Sequence, residues 1–141
     1  MNGVRVTKLQ LLRLYLLLLF VGVVSGQSCE YLPFVDGCSH SPNFIKKFMA
    51  KACVRHDLCY GCGIKFGFSR SFCDDTFHLD TVSICDFKAP LFNSLCKSLA
   101  SFMSFSVRLL GEKRYKWVYP EPWCDLPEVR HCLPPFPLKI D

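Results

Sequence analysis

Apolar positions divide the chain into segments of different character. Leu14 to Val24 is an unbroken apolar run of eleven residues, preceded by Arg5, Lys8 and Arg13 and followed by Ser25-Gly26. A membrane span needs roughly 20 apolar residues. This run is shorter, and its basic flank and small-residue end read as a secretory signal peptide over 1–26. From Ser41-Pro42 the spacing becomes helical: Phe44, Ile45, Phe48, Met49, Ala52 and Cys53 fall on one face. Ser41 is the expected N-cap, with Pro42 at the first position. The pattern runs on through Tyr60, and Gly61 and Gly63 are expected to stop it. Ile64 to Phe68 reads as a loop or short strand. A second helix is expected from about Phe72 to Asp86, capped by Ser69 or Ser71. Pro90 ends that helix or opens the next. A third helical pattern runs from Leu91 to Leu110 and closes at Gly111. Beyond Tyr115 the chain turns rich in proline, which forbids a long helix, so an extended tail is expected.

Charge and cysteine content narrow the class. Loss of the signal would remove three basic residues from a formal net charge of +5. The remainder, 27–141, is the size of one domain and too weakly basic to favour nucleic acid as a partner. Mild basicity still favours an anionic membrane surface. All ten cysteines lie beyond the signal. An even number in a short secreted chain implies a disulfide framework. Cys124 and Cys132 would tie down the tail. Cys85–Cys96 is a plausible bridge because Pro90 turns the chain between them. Cys29, Cys62, Cys124 and Cys132 cannot be ordered from the sequence.

The chemistry concentrates in Cys53-Val54-Arg55-His56-Asp57-Leu58-Cys59-Tyr60-Gly61-Cys62. On a helix, Cys53, His56, Cys59 and Tyr60 share a face, and Asp57 lies at its edge. A neutral histidine is the usual base near pH 7 and needs a carboxylate to hold its second nitrogen. Asp74 is the candidate, with Asp75 as its neighbour and rival. A Cys59–Cys73 bridge would bring Asp74 close to His56. Asp57 is then free to bind a hard cation such as calcium, which takes six to eight oxygens. Asp36-Gly37 in the preceding loop can add a carboxylate and a carbonyl, particularly if Cys38 bridges to Cys53. Zinc on Cys53, His56, Cys59 and Cys62 is disfavoured, because ligands at three-residue steps along one helix cannot close a tetrahedron. A redox Cys59-x-x-Cys62 is disfavoured because no βαβ pattern surrounds it. His40, His78 and His131 have no evident partner and read as surface residues. Phe66, Phe68, Trp117 and Trp123 are candidates for either a lipid-gripping apron or core packing.

Cys53-x-x-His56-Asp57-x-Cys59-Tyr60, followed by Cys73-Asp74, resembles the secreted calcium-dependent phospholipase A2 superfamily. Gln27-Ser28-Cys29, Val35-Asp36-Gly37-Cys38-Ser39, the run from Ala52 to Gly63 and Lys113-Arg114 look closest to the conodipines, cone-snail venom phospholipases A2. The resemblance is good from Gln27 to Cys85 and weaker beyond. It implies a mainly α, small disulfide-rich fold with two antiparallel disulfide-linked helices, a third helix and a proline-rich extended tail. It implies His56 as the base, Asp74 as its orienting carboxylate and Tyr60 as the hydrogen-bond partner of that carboxylate. Calcium is implied at Asp57, Asp36 and the Gly37 carbonyl. Cys38–Cys53 and Cys59–Cys73 are the bridges it supports. The expected activity is hydrolysis of the sn-2 ester of phosphoglycerides at a phospholipid membrane surface by a secreted protein. The conodipine precedent also implies cutting at Lys113-Arg114 into disulfide-linked chains of about 27–112 and 115–141. The sequence departs from the glycine-rich calcium loop of the pancreatic and snake-venom type, leaving some calcium ligands unassigned. A non-catalytic toxin or receptor-binding module on the same fold is the alternative.

Overall fold

Three long helices carry the architecture, in a computed structural model that describes residues 10, 29, 32–39 and 41–134. Apart from Gln10, the expected signal peptide and Gln27 lie outside the described residues. Helix α1 is Asn43–Phe66, α2 is Arg70–Lys88, α3 is Asn93–Leu110 and the short α4 is Pro127–Cys132. One-turn 3-10 segments lie at Pro90–Phe92, Gly111–Lys113 and Pro122–Asp125. No strand occurs among the described residues, and no described helix is long and apolar enough to cross a membrane.

Helix α1 runs further than expected, and its glycines explain why. Gly61 and Gly63 lie inside it, and Ile64 to Phe66 continues the helix instead of forming a loop or strand. A Cβ on Gly61 would sit 2.6 Å from the Trp123 ring, and one on Gly63 2.7 Å from the Tyr115 hydroxyl. Those glycines admit aromatic rings against the helix. The stop is Gly67, in the left-handed region at φ 75°, whose N–H returns to the Gly63 carbonyl. At the other end Pro42, not Ser41, occupies the cap, with no side-chain hydrogen bond.

After a turn of three residues, α2 starts at Arg70. Ser69 Oγ accepts the Phe72 N–H at 3.1 Å, which settles the cap between the two serines. Helices α1 and α2 lie antiparallel, riveted by Cys59–Cys73, and Cys85–Cys96 joins α2 to α3. Cys38–Cys53 fastens the loop ahead of α1. The unordered cysteines pair as Cys29–Cys132 and Cys62–Cys124. The tail is less extended than expected. Pro122 and Pro127 each sit at the start of a short helical turn, where the missing N–H costs nothing.

The core has two main parts. Met49, Ala52, Phe77, Ile84 and Ala100 fill the space between α1, α2 and α3. Val54, Leu58, Val129 and Leu133 pack α1 against the tail. Within the first, Arg55 and Asp80 form a buried pair at 3.4 Å. His78 is not a free surface residue: its Nδ1 lies 3.0 Å from Ser104 Oγ on α3. His131 is exposed, as expected, and His40 lies outside the described residues.

Candidate functional site

The middle of α1 and the first turns of α2 face each other across the bridge Cys59–Cys73. That rivet brings Asp74 beside His56, one turn earlier on α1. The imidazole Nε2 donates to Asp74 Oδ1 at 2.9 Å, and the Tyr60 hydroxyl donates to the same oxygen at 2.6 Å. Asp75, its rival, is exposed and pairs with Arg108 of α3. The choice follows from helical rotation: Asp74 is on the face toward α1, and one residue further is about 100° away.

Burial and hydrogen bonding compete at Asp74, which is 1% exposed. Burial opposes its ionisation, but the bonds from His56 and Tyr60 outweigh this and hold the carboxyl below its ordinary range. Burial, reinforced by the hydrogen bond to Asp74, pushes the Tyr60 phenol well up, so Tyr60 is a fixed donor. The imidazole is packed between two rings, with centroids 4.1 Å from Tyr60 and 4.8 Å from Phe77. With Nε2 committed to Asp74, Nδ1 is the nitrogen available to a reacting water.

Asp57 does a different job. Its Oδ2 is buried without a hydrogen-bond partner. Burial first, then the adjacent charge of Asp36, pushes its carboxyl up to about 7, while a bond from the Gly37 backbone N–H pulls the other way. Two carboxylates pressed together, one with an orphaned oxygen, form an electron-rich pair whose nearby cation is Arg114, 4.0 Å from Asp36. The donor set of Asp57, Asp36 and the Gly37 carbonyl is all oxygen and suits a hard cation. The Gly37 carbonyl already accepts the Ser39 N–H at 2.9 Å, which leaves it one lone pair. Gly37 itself sits at φ 63°, a conformation that favours glycine. Among the described residues no cluster of three or more His, Cys, Asp or Glu side chains could hold a metal. A cation here would therefore depend on two carboxylates, a carbonyl and water.

His56, Asp57, Asp36, Gly37 and Tyr60 all line one cavity of about 810 Å³. Its far wall is α3, with Phe102, Met103, Val107 and Leu110. The sequence marked those positions only as a helical repeat. Their role depends on where α3 lands. Arg114 also lines the cavity, its Nη1 4.0 Å from Asp36 Oδ2; the sequence offered it only as half of a dibasic pair. Trp123 lines the cavity while stacking on Phe34 at 4.9 Å between centroids. Phe66 and Phe68 are half-buried against the α1–tail core, and Trp117 alone of the four apron candidates is largely exposed.

No protein-family model matches the chain, and no solved structure matches it. Sequence relatives do. The conodipine-M alpha chain of Conus magus is 52% identical over 40 residues, 28% of this chain and 51% of that one. Conodipine-P2 and conodipine-P1 of Conus purpurascens are each 38% identical over 82 residues, 57% of this chain and 39% of theirs. This chain is conodipine-like. The likeness covers about half or less of the length of these conodipines. The expected mainly α, disulfide-rich architecture is present in this conodipine-like chain, with the implied Cys38–Cys53 and Cys59–Cys73 bridges in place.

Proposed function

We propose that this chain is a secreted, calcium-dependent phospholipase A2 that hydrolyses the sn-2 ester of phosphoglycerides. The observation that carries the reading is the Tyr60–Asp74–His56 chain of hydrogen bonds, whose His56 and Tyr60 line the same cavity as Asp57 with its unpartnered oxygen. Asp74 keeps Nε2 protonated, so Nδ1 takes a proton from water as that water attacks the ester carbonyl. The same nitrogen returns the proton to the departing glycerol oxygen. Phe77 and Tyr60 exclude bulk water from the ring and fix its plane. Asp57, Asp36 and the Gly37 carbonyl would hold calcium. A bound calcium ion supplies Lewis-acid polarisation and charge stabilisation at the phosphate and the ester oxygen.

A membrane partner fits the outer face of α3. Leu95, Phe102, Phe105 and Leu109 fall on one exposed stripe at helical spacing, extended by Leu91 in the 3-10 turn before α3. Phe102 also lines the cavity, so the stripe is continuous with its wall. A lipid held against α3 would have an apolar path to His56. The two-chain form belongs to the same reading: Lys113 and Arg114 are exposed, and a cut there would leave the tail attached through Cys62–Cys124 and Cys29–Cys132.

The deciding experiment is hydrolysis of phosphatidylcholine vesicles with calcium and with a chelator. Wild type should release fatty acid only with calcium. His56→Gln should lose activity by about 10³-fold or more while keeping its circular dichroism. Near-full activity in that variant would sink the mechanism. No hydrolysis by folded wild-type protein would leave the binding-module alternative.

A further inference from the structure

Gly111 closes α3 at φ −75°, ψ −15°, a backbone that any residue can adopt. Glycine is therefore not needed for its conformation. It is needed for space: a Cβ there would lie 2.3 Å from the Tyr60 hydroxyl oxygen and 3.0 Å from the Tyr60 ring. Gly111 is buried and lines the same cavity as His56. Four residues on, Tyr115 is 4% exposed and sets its ring edge-on to Tyr60, with centroids 5.5 Å apart. The Tyr115 hydroxyl donates to the Phe68 carbonyl, and its N–H returns to Gly111. The next residue, Lys116, donates its N–H to the Tyr60 carbonyl at 3.2 Å. Gly111, Tyr115 and Lys116 thus meet the hydroxyl, ring and backbone of Tyr60.

We propose that Gly111 and Tyr115 are positioning residues for the hydrolytic site, holding the Tyr60 hydroxyl on Asp74 and so fixing the plane of His56. The inference rests on the phospholipase reading for its catalytic consequence, but the geometry can be tested without it. Tyr60 reaches His56 by two routes: the shared Asp74 oxygen, and direct ring contact at 4.1 Å. Displacing Tyr60 removes both. Substituting alanine for a glycine in a compatible backbone ordinarily stabilises a protein, because the unfolded chain loses freedom. A Gly111 needed only for its backbone would therefore tolerate alanine.

The test is a double-mutant cycle on the full chain, read in two ways. On a monomeric short-chain phosphatidylcholine with calcium, Gly111→Ala should lower kcat about tenfold with little change in KM, the signature of lost transition-state alignment. In a Tyr60→Phe background, which lacks the clashing oxygen, Gly111→Ala should cost little more. In parallel, the downfield proton resonance of the Tyr60 hydroxyl should be present in wild type and absent in Gly111→Ala. If Gly111→Ala does not fold, Tyr115→Leu takes its place: it should lower kcat and broaden that resonance, and Tyr115→Phe should recover most of both. Wild-type kcat with an intact resonance in Gly111→Ala, or an equal penalty in both backgrounds, overturns the proposal. So does equal behaviour of Tyr115→Leu and Tyr115→Phe. Inactive wild type with a resonance that responds as described would refute the phospholipase reading and leave the positioning intact.

Discussion

At the scale of single residues, adjacent side chains have separate duties. His56 and Asp57 are neighbours in sequence, yet His56 turns to Asp74 and Asp57 turns to Asp36. The split was legible in the sequence because adjacent helical positions point about 100° apart. The buried pair Arg55–Asp80 was not legible, because nothing local tells a buried charge from an exposed one. Burial pushes the Asp80 carboxyl up to about 6, with Arg55 opposing. A raised folded-state pKa means that the contribution is fully present below the unfolded value near 3.9 and is lost as pH rises through about 6. Asp80→Asn should therefore remove on the order of 2 kcal/mol of the fall in unfolding free energy between pH 4 and pH 7. Denaturant titrations of both proteins across that range measure it, and parallel curves would refute it. Asp57 follows the same sign at a higher pH. Without calcium the protein should lose stability as pH rises toward 7, and calcium should restore it. The rise in melting temperature on adding calcium should be larger at pH 8 than at pH 5.5 and nearly absent in Asp57→Asn. Equal shifts at both pH values would count against a cation at this pair.

At the scale of elements, glycine was the residue most open to misreading. A glycine near the end of a helical pattern signals a stop only if the chain there needs a left-handed turn. Gly67 meets that need; Gly61 and Gly63 serve contacts made 50 or more residues later. The sequence reveals that a glycine is present but not which ring will rest on it. Gly61→Ala should accordingly cost about 1–3 kcal/mol, as expected for overpacking, by forcing Trp123 away from α1. Thermal melts together with loss of tryptophan–Phe34 stacking in near-UV circular dichroism would show it, and an unchanged melting temperature would contradict it. Apart from the last six residues of α1, the helices themselves were legible to within a few residues because their apolar period is strong. The tail was less so: proline density forbids long helices but permits the short turns that begin at Pro122 and Pro127.

At the scale of the whole molecule, local bridges were readable and distant ones were not. Cys85–Cys96 spans 11 residues and follows from a turn at Pro90. Cys62–Cys124 and Cys29–Cys132 span 62 and 103 residues, and their partners depend on where the tail folds. Both long bridges straddle Lys113-Arg114. A chain cut at that pair would elute as a single body and separate only under reductant; mass spectrometry before and after reduction would reveal it. Of the two bridges that keep such halves together, Cys62–Cys124 is the shielded one, with Cys62 at 0% and Cys124 at 1% exposure, whereas Cys29 is only half-buried. A soluble thiol must wait for the wall bearing Trp123 to swing off α1 before it can attack. Resistance to reduction thus becomes a clock for that opening, and the rate at which the tail is lost in glutathione would time a motion of the cavity wall that no static distance records.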